Sequence, residues 1–229
     1  MDAPETALEP DFIPTARTRI KRLHQRAHYD RKTVYEILDA GLVCHVGYVI
    51  DGQPYVTPTA YWRAGDRVYW HGSSASKMLR HVKTGVPVCF TVSLLDGLVL
   101  ARSGFHSSIN YRTVIALGKA TLIEDNDEKR TALEDFMERL TPGRWDELRP
   151  VTDQELKATT VVAMTLEEVA AKVRTGPPAD DEEDYDLDVW AGVVPIGTVI
   201  GAAVDDPRLK AGIAVPDYLS KIQIGEIDP

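Results

Sequence analysis

Alternating hydrophobic and polar positions dominate the first half of the chain. Leu42 to Ile50 is rich in Val, Tyr and Ile and predicts a strand, and Asp51-Gly52 is a hairpin turn signal. Tyr55 to Trp62 predicts the return strand, Ala64-Gly65-Asp66 a second turn, and Arg67 to His71 a third strand. In that third strand Val68 and Trp70 alternate with Tyr69 and His71, so it presents two different faces. Pro87 to Leu94 and Leu98 to Ser103 predict a further hairpin around Asp96-Gly97. Tyr111 to Ile123 is a long β-type run in which Gly118 marks a bulge or kink. Thr160 to Leu166 and Val169 to Arg174 predict a strand and its continuation, bent near Glu167-Glu168.

Helical spacing is rarer. Asp30 or Thr33 caps a short helix with Val34, Ile37 and Leu38 on one face, ended by Gly41. Ser76 to Thr84 predicts a second, with Met78, Leu79 and Val82 apolar. Asp127 to Leu140 is the clearest, apolar at Leu133, Phe136, Met137 and Leu140 and stopped by Pro142-Gly143. Residues 1–16 hold three prolines and no periodicity, predicting a loosely ordered start. The chain thus divides into an extended N-terminal arm (1–27), a β domain (28–200) and a C-terminal tail with a short helix near Asp217 to Ile222 (201–229). Six or seven short strands with tight turns and a few helices indicate a mainly β fold, an antiparallel β-barrel with accessory helices. No βαβ alternation and no Gly-x-Gly-x-x-Gly is present, which argues against a Rossmann domain.

Composition changes this picture little. The chain has 229 residues, 44% hydrophobic and 27% charged, ordinary for a soluble globular protein. No apolar run approaches the roughly 18 residues that span a bilayer, so no membrane partner is expected. The acidic, proline-bearing N-terminus lacks the features of a signal peptide, and the two cysteines, Cys44 and Cys89, lie in strand-like runs as reduced thiols. A cytoplasmic location is expected. A net charge of −9 argues against a nucleic-acid partner. Charge is uneven, with seven Lys/Arg and one acid between Arg17 and Lys32 and seven acids among the nine residues Asp180 to Asp188. Each run reads as a solvated segment; the basic one also suits an acidic surface on a partner subunit.

The most telling chemistry follows the third strand. Gly72 to Ser76 offers hydroxyls and backbone N–H groups, Ser76 caps the next helix, and Lys77 sits in its first turn. Hydroxyls, amides and one ammonium suit a phosphate, as they also suit an ordinary capped loop.

Four segments resolve that choice by resemblance. They are Tyr55-Val-Thr-Pro-Thr-Ala-Tyr61; Val68-Tyr-Trp-His71 with Ser-x-x-Ser-Lys77; Asn110-Tyr-Arg-Thr-Val114 with Gly118-Lys-Ala120; and Val189-Trp-Ala-Gly-Val-Val-Pro-Ile196. In this order, over about residues 28 to 196, the chain resembles the FMN-binding split-barrel family related to pyridoxamine 5′-phosphate oxidase, and within it the branch with nitroimidazole-resistance proteins. The resemblance implies a homodimer with each FMN at the interface between two barrels. It implies that Ser73, Ser76 and Lys77 hold the FMN phosphate. The backbone of Thr57, Pro58, Thr59, Ala60 and Tyr61 would run beside the isoalloxazine. Asn110, Arg112 and Thr113 would contact the flavin or its rim, and Trp190 would reach it from the partner subunit. His71 is either a strand-end histidine bonded to backbone or a group beside the flavin. The aromatic residues Tyr61, Trp62, Tyr69 and Trp70 are otherwise ordinary strand packing.

One departure matters. After Trp190 comes Ala-Gly-Val-Val-Pro-Ile, with no arginine until Arg208, so a phosphorylated substrate finds no counter-charge and true pyridoxamine-phosphate oxidase activity is not expected. A small planar or aromatic substrate above the flavin is expected instead, in an oxidoreductase passing hydride or electrons, with nitro compounds as one acceptor class. The competing readings are a flavin store or sensor without turnover, and a barrel that takes haem or a deazaflavin. Haem would draw its axial ligand from His71 or His106, whereas the acidic balance disfavours a deazaflavin's polyglutamyl tail. No catalytic triad or metal-ligand spacing is present, with the histidines scattered at 24, 28, 45, 71, 81 and 106.

Overall fold

A computed structural model describes residues 11–225. Nine strands form one sheet: β1 (Ala27–His28), β2 (Val43–Ile50), β3 (Gln53–Ala64), β4 (Arg67–Ser73), β5 (Thr84–Leu100), β6 (Ser108–Leu122), β7 (Thr159–Thr165), β8 (Glu168–Arg174) and β9 (Gly192–Pro195). Helices α1 (Arg31–Ala40), α2 (Lys77–Val82), α3 (Asn126–Leu140) and α4 (Asp153–Ala158) are interspersed. The order is β1-β8-β6-β7-β4-β3-β2-β5-β9, and an added β5–β6 pairing closes six strands into an antiparallel barrel. Along β6, Tyr111–Leu117 pairs with β8 whereas Thr121–Leu122 pairs with β7, so the wall divides there. This is the split barrel expected.

Local chemistry accounts for the first turns. Asp51 and Gly52 take φ of 49° and 78°, the left-handed pair that an Asp-Gly hairpin requires. Asp30 caps α1 by accepting from Thr33 N–H at 2.8 Å, and Ser76 caps α2 by accepting from Leu79 N–H at 3.4 Å. The barrel interior then fills from alternate strand positions, among them Val46, Tyr61, Trp70, Phe90, Val92, Val114, Ala116, Val162 and Met164. Val34, Ile37 and Leu38 of α1, and Met78, Leu79 and Val82 of α2, join that core. A second, smaller core lies on the other face of β3, β4 and β7. There Trp62, Val161 and Ala163 are covered by Ala132, Leu133 and Phe136 of α3.

Three expectations are corrected. The hairpin around Asp96-Gly97 is absent: β5 runs unbroken for 17 residues, with a register shift between Leu95 and Gly97. Asp96 sits in that bulge, its carboxylate held by Arg112 and its carbonyl by Ile196 N–H at 3.0 Å. Gly118 is no bulge either, since it pairs in register with Val88. A Cβ there would come 2.9 Å from Met164 Sδ, so close packing explains the glycine. Finally, the stretch 11–16 is packed rather than loose. Phe12 is buried and donates its N–H to Tyr29 O at 2.9 Å, and Thr15 Oγ1 donates to Glu168 at 2.9 Å. Residues 1–10, the rest of that predicted start, lie outside the described residues.

Candidate functional site

The predicted phosphate loop follows β4, and its internal bonds change what it can offer. Ser74 N–H donates to Ala158 O at 2.8 Å, Ala75 N–H to Ser73 Oγ at 3.2 Å, and Ser76 N–H to Ser73 O at 2.9 Å. These amides are spent on the turn. The loop still offers an anion the Lys77 ammonium and the exposed Ser73 and Ser74 hydroxyls. Lys77 Nζ lies 3.3 Å from Tyr55 Oη and 4.5 Å from that ring's centroid, a cation–π contact that aims the flexible side chain across the gap to β3. Tyr55 stacks on Tyr48 at 5.6 Å, and Tyr48 Oη is 3.1 Å from Thr57 Oγ1. The structure therefore brings Thr57 and Lys77 into one connected group.

That gap is the opening of the barrel. β3 and β4 pair only from Tyr61–Trp70 to Ala64–Arg67; before Tyr61, β3 pairs with β2 alone. Tyr61 N–H donates to Leu42 O, and antiparallel bonding alternates, so Val56, Pro58 and Ala60 turn their main-chain polar groups away from β2, toward the split. This unpaired edge runs through the predicted Thr57–Tyr61 segment. The Tyr61 side chain points inward and donates to Leu38 O, and burial raises its phenol pKa. The Tyr61 N–H is spent on Leu42 O and the residue pairs with Trp70 on β4, so the free edge lies before it, at Val56 and Pro58. Cys44 beneath it is an inert buried thiol, pushed up to about 12.

The other predicted contacts stand elsewhere. Thr113 lies four residues along β6 from Leu117, the residue level with Gly47 and Cys89, which is roughly 14 Å at ~3.4 Å per residue. Thr113 Oγ1 donates to Val92 O at 2.7 Å, and Asn110 bridges Arg174 and Gly176 O. Arg112 donates from Nε at 2.9 Å and Nη2 at 2.7 Å to Asp96, while its buried Nη1 finds no partner among the described residues. Trp190 is 65% exposed and folds over Gly192. One chain alone does not join these residues to Lys77.

His71, read as either a strand-end histidine or a group beside the flavin, is packed beneath a helix. Its ring lies under α3, 4.7 Å from Phe136 and 5.7 Å from Trp62, and burial lowers its pKa. Its Nδ1 and Trp62 Nε1 both lack partners among the described residues. His106, the other candidate haem ligand, has Nε2 3.2 Å from Asp181, in a loop where Arg102 anchors the buried carboxylate of Asp180.

A feature the sequence reading missed is the outward face of β2, β5, β6 and β8. His45 and Gly47 on β2, Cys89 and Thr91 on β5, and Ile115 and Leu117 on β6 alternate with the core positions and leave the barrel wall. This face carries two hollows. One, of about 460 Å³, has Gly47, Tyr48, Tyr55, Val56 and Cys89 among its lining residues. The other, of about 280 Å³, is lined by Thr113, Ile115, Ala170, Lys172, Arg19 and Ile20, among others. Arg17 and Leu117 border both. Period-two alternation held the signal, but nothing in sequence says which face a second layer covers. Among the described residues no three His, Cys, Asp or Glu side chains converge as a metal site, and no helix is long and apolar enough to cross a membrane.

Comparison with known proteins places this geometry. The chain is 47% identical to the flavocytochrome Anf3 of Azotobacter vinelandii, with a TM-score of 0.89, covering 93% of this chain and 100% of that one. It is 36% identical to a FAD- and haem-binding protein of Mycobacterium smegmatis, with a TM-score of 0.83, covering 86% and 97%. Similarity to a 5-nitroimidazole resistance protein of Bacteroides thetaiotaomicron is lower, at 25% identity and a TM-score of 0.55, covering 64% and 86%. Among proteins of curated function, none matches. The family model described as pyridoxamine 5′-phosphate oxidase matches residues 30–173, and since that is more than half of the chain, the protein belongs to this split-barrel family.

Proposed function

We propose that the chain is a flavin-binding redox protein that carries haem as a second cofactor. The observation that carries this reading is the extent of similarity. The nitroimidazole-resistance relative covers 64% of the chain, whereas the flavocytochrome and the FAD- and haem-binding protein cover 93% and 86%. Segments beyond the shared barrel are thus common to this chain and to proteins named for haem as well as flavin. The flavin is held at the split, with Lys77 on its phosphate and the free edge of β3 along its polar ring edge. Lys77 serves FMN or FAD equally, because both carry the same ribityl phosphate. The FAD of the 36%-identical relative makes FAD the form to expect, in place of the FMN implied by resemblance alone.

Bound together, a flavin supplies hydride and single-electron chemistry and a haem single-electron transfer. The residues of the chain bind, orient and screen them. Tyr55 touches Lys77 on one side and lines the larger outward hollow on the other, so the flavin site and the hollow share a wall. Two copies pack through this outward face, which brings Arg112 and the exposed Trp190 of one copy toward the Lys77 site of the other. The stretch Ala191 to Ile196 offers no charge for a phosphorylated substrate, which supports a redox role other than pyridoxamine-phosphate oxidation.

The test is to purify the chain without added cofactor, record its visible spectrum and weigh what it releases. Flavin bands with a Soret band and a mass of FAD are expected. Flavin without a Soret band, before and after incubation with haemin, returns the protein to a simple flavoprotein. A colourless protein that takes up neither cofactor overturns the proposal.

A further inference from the structure

We infer that the larger outward hollow holds the adenosine-phosphate half of FAD, an inference that rests on the flavin site proposed above. Lys77 takes the phosphate that FMN and FAD share, so in FAD a second phosphate, a ribose and an adenine continue from that point. The fold provides a way onward. Before Tyr61, β3 pairs with β2 alone and its other edge is open. Val56 stands on that edge, 66% exposed, and lines the larger hollow. Tyr55 lines it too, and its hydroxyl is 3.3 Å from Lys77 Nζ. A chain of atoms leaving Lys77 crosses β3 at Val56 and enters the hollow. The volume there, about 460 Å³, lies within the roughly 300–1,000 Å³ usual for cofactor sites.

The floor of the hollow suits a flat ring. Gly47 on β2 is level with Cys89 on β5 and Leu117 on β6. A glycine inside a strand weakens it, so its presence needs a cause. The usual internal causes do not apply: its φ is not positive, and a Cβ there would meet Cys89 Cβ and O at 3.5 Å, an ordinary contact. The missing side chain instead leaves the backbone open to a molecule arriving from outside, and an adenine laid over Gly47 and Cys89 needs that clearance. Charge supports the same occupant. Lys119 and Arg17 line the hollow, and no Asp or Glu is among the described residues around it, although the chain carries a net charge of −9. Arg17 is partnered by Glu168, whereas the exposed Lys119 ammonium has no ion-pair or hydrogen-bond partner among the described residues. It is available to the second phosphate, which FMN lacks.

The test compares FAD and FMN affinity by fluorescence titration in the flavin-free full chain and in two variants, Gly47→Val and Lys119→Ala. Both should melt as the wild type does, since a Cβ at position 47 meets only ordinary contacts and Lys119 is exposed. The wild type should prefer FAD. Each variant should weaken FAD at least about tenfold, in line with one lost charged contact or a filled floor, and leave FMN affinity and the mass by light scattering unchanged. Variants that keep wild-type FAD affinity, or lose FAD and FMN equally, overturn the inference and leave the flavin site at Lys77 standing. So does a wild type that binds FMN as tightly as FAD. A Gly47→Val chain that turns monomeric assigns the floor to a second copy and overturns the inference as well. A wild type that binds neither flavin overturns both the inference and the site it rests on.

Discussion

At the scale of single residues, Lys77 carries the flavin assignment and His71 the acid sensitivity of the fold. A charge-assisted contact is worth about 1.5–3 kcal/mol, so Lys77→Ala should weaken flavin binding roughly 10- to 150-fold. Fluorescence titration reads this directly. Because Lys77 is exposed and its only side-chain partner among the described residues is Tyr55, the melting temperature of the apoprotein should hardly move. Unchanged affinity would remove Lys77 from the site. His71 acts through pH. Burial lowers its folded pKa below its unfolded value of about 6.5. Above that value it is neutral in both states and contributes no pH dependence. As pH falls below it, the unfolded chain takes up the proton first, so stability is lost until the folded pKa is passed. His71→Leu, which keeps an apolar contact with Phe136 and Trp62, should therefore lose less melting temperature between pH 7 and pH 5 than the wild type does. Equal losses would show that the imidazole is protonated freely beneath α3.

At the scale of elements, β5 shows how far sequence reaches. Asp51-Gly52 and Asp96-Gly97 are the same dipeptide between apolar runs, and both read as hairpin turns. Only the first is one, because Gly52 takes a positive φ. Gly97 does not; a Cβ on it would lie 3.0 Å from Val194 O, so its smallness lets β9 approach. The distinction depends on a strand almost a hundred residues later, which no local pattern reports. The β2–β4 meander and the Ser76 cap were legible because their determinants are neighbours in sequence. The covering of His71 by α3 and the openness of His45 were not, since alternation gives two faces without saying which is roofed. The bulge itself is held by Asp96 and Arg112, partly buried at 25% and 16% side-chain exposure. Asp96→Asn leaves the guanidinium without its counter-charge and should cost up to about 3 kcal/mol, the low end for a fully buried pair. Denaturant unfolding measures it, and a loss within ~0.5 kcal/mol would class the pair with ordinary surface bridges.

At the scale of the whole molecule, the proposed pairing of two copies rests on the outward sheet face, much of which the described residues leave open. Val49, Val56, Leu95, Leu98, Ile109 and Ile115 are all more than a third exposed, and an apolar surface of this kind marks an interface. A two-fold axis lets one patch cover its own copy and closes the assembly at two. It also reconciles the separated halves of the predicted site, because Arg112 and Trp190 are then supplied to Lys77 across the axis. Light scattering should give a mass twice that of the 25.4-kDa chain. Leu98 and Ile109 are cross-strand partners on β5 and β6, at 39% and 43% exposure and away from both hollows. Replacing both with Glu puts like charges across each interface, which should yield a monomer that keeps its fold by circular dichroism. If the flavin is shared between copies, that monomer should also bind it at least about tenfold more weakly, in line with losing one charged contact. A monomer with wild-type flavin affinity would place the whole cofactor site within one chain, and Arg112 and Trp190 would then serve only the strap formed by β9.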